Sequence, residues 1–161
     1  MNKELQSLYE QDQADRFEMQ KLTREQIVHR DRIRRQRVEE LRECEALQVP
    51  EDFFHAAMIF QHGETLEHYW QAYELAKKGA KLGHLACRRL TAATYDRWLM
   101  RQGKPQMYGT QYILKGGRWV LYEVEPTTTD AQRAEWNVPL LDQALQRAEE
   151  MNQSMPPLFF S

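Results

Sequence analysis

The chain is poor in cysteine, glycine and proline. Only two cysteines, Cys44 and Cys87, occur in 161 residues, and neither belongs to a CxxC or CxH spacing. This disfavours a disulfide framework or a structural zinc site. Isolated thiols in a reducing compartment read as small buried hydrophobes. Seven glycines and six prolines make up roughly 8% of the chain, below the ~12% of average usage. So few breakers predict long uninterrupted elements and a helix-rich protein. No stretch approaches the ~18 apolar residues of a membrane span. The opening MNKELQSLYEQDQ lacks the apolar run of a signal peptide. The expectation is a cytoplasmic protein with no membrane partner.

Neither sign of charge dominates. Lys plus Arg is 22 and Asp plus Glu is 24, a net of −2, which argues against nucleic acid as the main partner. A Gly-rich phosphate loop is missing. No serine or cysteine stands in a nucleophile setting, so covalent catalysis is not favoured. No cofactor is implied. His55 and His62 are seven apart on one predicted helix, about 10 Å along its axis. That is too far to chelate one metal as an HExxH pair does, and no metal site is expected.

What is present is 42% apolar and 11% aromatic residues, enough for one core. A first helix is read over residues 2–22, with Leu5, Leu8 and Tyr9 as its apolar stripe. Phe17 continues the stripe past a polar gap at 12–16. Thr23 with Gln26 forms a capping box that opens a second helix over 24–47. Pro50 closes that helix and opens a third, over 51–62, apolar on all sides and therefore central. Gly63 is read as its C-terminal cap. The fourth and fifth helices are placed over 64–82 and 84–101, the latter with Leu85 among its core residues.

The period then changes. MYGTQYILKGGRWVLYEV predicts a β-hairpin over about 107–124 that turns at Gly116-Gly117. Its register puts Leu114 opposite Trp119, and its apolar faces require helices to pack on them. Thr129 with Gln132 announces a further capped helical turn, and a last helix covers 140–152. The fold class is thus mainly α: five or six helices with one packed hairpin, a single domain over 1–152 and a tail over 153–161. The tail cluster Leu158-Phe159-Phe160 either docks or frays.

Two segments carry candidate chemistry. From 24 to 43 there are seven arginines against five acids. Arg30, Arg34 and Arg37 share a face that could line a phosphate. The plainer reading is a solvated face with pairs such as Asp31–Arg35. The second segment is Asp96-Arg97 followed by Gln106-Met107-Tyr108-Gly109-Thr110-Gln111. Polar side chains where the pattern predicts burial must be hydrogen-bonded, as a structural network or as a pocket.

This DR…GxxQxYGTQ segment resembles a bacterial family of uncharacterised proteins, a domain of unknown function. Gln61-His62 matches a QH pair of that family, Asp31 and Arg34 match its DxxR helix, and Val49-Pro50 matches its hydrophobe-proline boundary. The resemblance spans about residues 12–136. His55 and the aromatic fourth helix depart from it. The family brings no established activity, so the resemblance points to a site and not to a reaction.

Two readings of function follow. In the first, a polar pocket binds or converts a small molecule or peptide bearing a carboxylate or phosphate. His62 and Asp96 are its acid–base pair. Arg34, Arg97, Gln106, Tyr108 and Gln111 are its ligand contacts. In the second, the same polar cluster is structural. The protein is then a helical interaction module that meets a protein partner through its Arg-rich helix or through Tyr69, Trp70 and Tyr73.

Overall fold

The computed structural model describes residues 1–154, and the expected docking of Leu158-Phe159-Phe160 lies outside them. The described residues form seven α-helices and one two-stranded hairpin. In chain order these are α1 (Lys3–Phe17), α2 (Arg24–Glu43), α3 (Pro50–Phe60), α4 (Leu66–Lys81), α5 (Leu85–Met100), β1 (Tyr112–Lys115), β2 (Arg118–Leu121), α6 (Asp130–Glu135) and α7 (Leu141–Ser154). The fold is mainly α with one hairpin. Among the described residues, no helix is long and apolar enough to cross a membrane.

Local chemistry sets the helix starts. Thr23 and Gln26 bond reciprocally at the head of α2, and Thr129 and Gln132 do the same at α6. Each box satisfies amide donors that a helix start leaves free. Pro50 is the first residue of α3, where its missing N–H costs nothing. Asp52, in that same turn, accepts the amides of Asn2, Gln48 and Val49 at 2.7, 3.0 and 3.1 Å. This carboxylate ties the N-terminus of α1 to the start of α3.

The apolar sequence of α3 makes it the central helix. Phe53, Ala56, Ala57, Ile59 and Phe60 are all buried, each large side chain contributing about 1.5–3 kcal/mol through burial. α4 packs most extensively on α5 and α3, and α1 packs on α3. The α4–α5 approach depends on Gly79, where an added Cβ would lie 2.5 Å from Cys87 Sγ. Gly63 is not a left-handed cap. A Cβ there would meet the His68 side chain, so Gly63 serves close approach.

The hairpin has the expected register, with Leu114 opposite Trp119 and Tyr112 opposite Leu121. α7 covers it. Asn152 accepts from Trp119 N at 2.7 Å and donates to Trp119 O at 3.0 Å, completing an open strand edge. Three expectations fail locally. The first helix stops at Phe17, which is 93% exposed. Its stripe ends because Asp12 and Asp15 are turned inward instead. Leu85 is an exposed first-turn residue. Cys44 caps α2 and is exposed, while Cys87 is buried. Burial pushes the Cys87 thiol up to about 12.

Candidate functional site

Two polar networks meet at the C-terminal end of α3. The first is built on the segment that follows α5. Asp96, fully buried, accepts from Met107 N at 2.8 Å, Tyr108 N at 2.9 Å, and Thr110 N and Oγ1 at 3.0 and 2.7 Å. The loop can present three amides to one carboxylate because Gly109 takes a φ of 85°, which a β-carbon would disfavour. Burial pushes the Asp96 carboxyl up, against the four hydrogen bonds that favour its charge.

The two flanking glutamines close the loop. Gln106 Oε1 accepts from Gln111 N at 2.8 Å, and Gln106 Nε2 donates to the carbonyls of Gln111 and Tyr122. Gln111 Nε2 donates to Ala93 O on α5, and its Oε1 accepts from Arg97 Nε at 3.1 Å. Arg133 of α6, 2% exposed, grips the same loop by donating to Tyr108 O at 3.1 Å. Asp96, Gln106 and Gln111 therefore spend their side chains on backbone, on Thr110 and on Arg97. Asp96 makes no pair with Arg97. Tyr108 lends the network its backbone, and its ring packs edge-on against Trp136.

The second network joins α1, α2 and the end of α3. Asp12 is 1% exposed and His62 is 19% exposed at the side chain, and His62 Nδ1 lies 2.9 Å from Asp12 Oδ2. An ionised carboxylate only accepts, so Nδ1 carries the proton. His62 Nε2 is left without a protein partner. Arg34, 5% exposed, bonds Asp31 at 2.7 Å and Asp15 at 2.8 Å. Arg16 bonds Asp31 at 2.6 Å and reaches Asp12 at 3.4 Å, and Arg30 bonds Asp15 at 2.7 Å. Burial opposes the charge of Arg34, but the hydrogen bonds to Asp31 and Asp15 outweigh it and its pKa rises. Arg30, Arg34 and Arg37 do not form an open stripe, because Asp15, Asp31, Glu4 and Glu40 engage them. Asp31 pairs with Arg34 and Arg16, not with Arg35.

The two networks meet on consecutive carbonyls. Arg97 Nη1 donates to Gln61 O at 2.9 Å, and Arg35 Nη1 donates to His62 O at 3.4 Å. Neither arginine has a carboxylate within ion-pair distance among the described residues. Burial lowers the pKa of both; Asp31 and Glu64 oppose this at Arg35, while Arg101 adds to it at Arg97 and Arg16 adds to it at both. Tyr69 adjoins both and donates its hydroxyl to Gly63 O at 2.7 Å. It is 3% exposed and so is no part of an aromatic surface. Arg97 Nη2, Arg35 Nη2 and His62 Nε2 make no hydrogen bond among the described residues and keep solvent contact.

Of the seven expected site residues, the structure brings Asp96, Arg97, Gln106, Tyr108 and Gln111 into one connected cluster. It places His62 at its edge through the neighbouring Gln61 carbonyl. Arg34 lies in the adjoining acid–arginine network. The partner of His62 is Asp12 and not Asp96. Sequence reasoning missed Asp12, Asp15, Arg16, Arg35 and Arg133. The first three form the polar gap that interrupts the α1 stripe, and a polar break facing a core was the available signal. Comparison of the chain with family models, with curated proteins and with solved structures finds no match.

Proposed function

We propose that the C-terminal end of α3 is an anion-binding site served by a histidine, and that the protein binds or acts on a small molecule or peptide bearing a phosphate or carboxylate. The observation that carries this reading is the pair Arg35 and Arg97. Both are largely enclosed, both hold their guanidinium charge on a helix-end carbonyl, and neither makes an ion pair, Asp31 and Glu64 acting on Arg35 only from beyond ion-pair distance. The C-terminus of a helix offers only about half an elementary negative charge. That does not balance two guanidiniums, and buried charge without compensation is costly. A bound anion supplies the balance. His62, oriented by Asp12, then stands as the acid–base group beside it.

The test is a titration with inorganic phosphate and with acetate at constant ionic strength, followed by amide and guanidinium NMR shifts. Saturable shifts at residues 61–64, Arg35 and Arg97 are expected from at least one anion. No saturable shift from either would overturn the reading.

A specific observation also favours the interaction-module reading. Asp96, Gln106 and Gln111 are internally satisfied, so that part of the cluster is structural. Trp70, Tyr73, Tyr95 and Trp98 form a contiguous aromatic group across α4 and α5, with centroid spacings of 4.9 to 5.8 Å. Trp70 is 37% exposed. A silent anion titration would leave this surface as the functional one.

A further inference from the structure

We infer that the ligand of this site is a dianion of the phosphate-monoester type, in preference to a monoanionic carboxylate or phosphodiester; the inference rests on the anion-site reading above. The first argument is charge. α1 brings Asp12, Asp15 and Arg16, α2 brings Arg30, Asp31, Arg34 and Arg35, and α5 brings Arg97. Five guanidiniums thus face three carboxylates, which leaves two positive charges in excess. The next charges outward, Arg101 beside Arg97 and Glu64 near Arg35, are one of each sign and leave the net excess at two. Each buried carboxylate is already engaged: Asp12 by His62 and Arg16, Asp15 by Arg30 and Arg34, Asp31 by Arg16 and Arg34. Arg35 and Arg97 are the two guanidiniums of this set without an ion-pair partner among the described residues. A ligand of charge −2 neutralises the excess, whereas a monoanion leaves one guanidinium uncompensated.

The second argument is the donor set. Arg35 holds Nε and Nη2 free, Arg97 holds Nη2 free, and His62 presents Nε2. The three guanidinium N–H groups match the three terminal oxygens of a phosphate monoester, while His62 Nε2, bare when Nδ1 carries the proton, is an acceptor and adds no donor. A carboxylate has only two oxygens to offer. Planar guanidinium forks are the side-chain donors best matched to phosphate geometry.

Calorimetry at fixed ionic strength and about pH 7.5, where a phosphate monoester is largely dianionic, separates the alternatives. The probes are phenyl phosphate, methyl phenyl phosphate and benzoate, which share an aryl group and differ in anion. Phenyl phosphate is expected to bind about tenfold or more tighter than the other two. Arg35→Lys and Arg97→Lys, which keep the charge and lose the fork, are each expected to weaken it severalfold in protein that still melts cooperatively. Equal affinity for the diester or for benzoate overturns the dianion inference and leaves the anion site standing. Phenyl phosphate affinity unaffected by either lysine variant also overturns it. No binding of any probe removes both the inference and the reading on which it rests.

Discussion

Asp12 of α1 and His62 at the end of α3 lie 50 residues apart in the chain and 2.9 Å apart in space. The contact fixes the imidazole ring against the first helix and leaves Nε2 without a protein partner among the described residues. The same carboxylate lies 3.4 Å from Arg16 and 3.9 Å from Arg34. Asp12 thus balances charge and orients His62 at once. Asp12→Asn keeps the shape and removes the charge. Because it leaves buried arginines with one acid fewer, a loss of about 3–5 kcal/mol is expected in urea unfolding. Nitrogen NMR of the imidazole is expected to show the His62 tautomer no longer fixed. A loss below about 1 kcal/mol, with the tautomer unchanged, would mean that Asp12 does neither job.

Asp96→Asn tests a different bond set. Asp96 Oδ1 takes the amides of Met107 and Tyr108, and Oδ2 takes the amide and hydroxyl of Thr110. Asparagine can serve the first pair, but its amide nitrogen then faces the Thr110 N–H as donor against donor. Burial already disfavours the carboxylate charge, so removing that charge returns part of the loss. The expected net cost is about 1–3 kcal/mol. Phosphate affinity at Arg35 and Arg97 is expected to be retained. Loss of binding in a folded Asp96→Asn protein would place Asp96 in the ligand site.

Much of this architecture was legible because local rules and tertiary demands agree. The capping pairs Thr23–Gln26 and Thr129–Gln132 stand where the sequence puts them. The Gly116-Gly117 turn sets the Leu114–Trp119 register. The cluster of Gln106, Gln111, Asp96 and Arg97 could be read from polar residues in an apolar hairpin. The His62 surroundings could not, because hydrophobic period shows that α1 has a polar break at 12–16 without showing which helix will cover it. Once α1 covers α2, Asp31 is drawn to Arg16 and Arg34. Arg35, four residues on and the expected i,i+4 partner, is left for the α3 carbonyl. Tyr69 was placed on a surface for the same reason: helical spacing groups it with Trp70 and Tyr73 but does not say that the α3 end closes over it.

Acid stability offers a third check through Asp52. Burial works against its charge, but three backbone amides and the N-terminal charge outweigh that, and its carboxyl sits below the ordinary value of 3.8. A depressed folded pKa means that the unfolded chain takes up the proton first as pH falls. The stability from this carboxylate is therefore complete above 3.8 and is lost as pH drops through the lower folded value. Asp52→Asn is expected to be about 1–3 kcal/mol less stable than wild type near neutrality. The gap is expected to narrow steadily in urea melts taken below pH 3.8. Asp15 follows the same sign, and Asp96, whose carboxyl is pushed up, follows the opposite one. A gap that stays constant through the acid range would show that Asp52 acts by shape and not by charge.

The crossing of α4 and α5 supplies the last prediction. At Gly79 an added Cβ would lie 2.5 Å from Cys87 Sγ and 3.2 Å from Phe53 Cβ. Alanine at position 79 raises helix propensity by about 1 kcal/mol, which alone would stabilise α4. The clash opposes this. Cys87 is fully buried, and the Phe53 and Cys87 Cβ atoms at 3.2 and 3.3 Å also crowd the new methyl, so the contact is relieved by moving the helices apart. Overpacking of this kind costs about 1–3 kcal/mol, enough to offset the propensity gain and leave Gly79→Ala destabilised. Cys87→Ala removes the sulfur and leaves a small void in the wild-type background, so alone it is also destabilising. Combined, the new methyl at 79 fills the space the sulfur vacated. The double variant is expected to be more stable than the sum of the single losses, with a coupling of about 1–2 kcal/mol in a thermodynamic cycle. Additive losses would mean that Phe53, not Cys87, sets the α4–α5 distance.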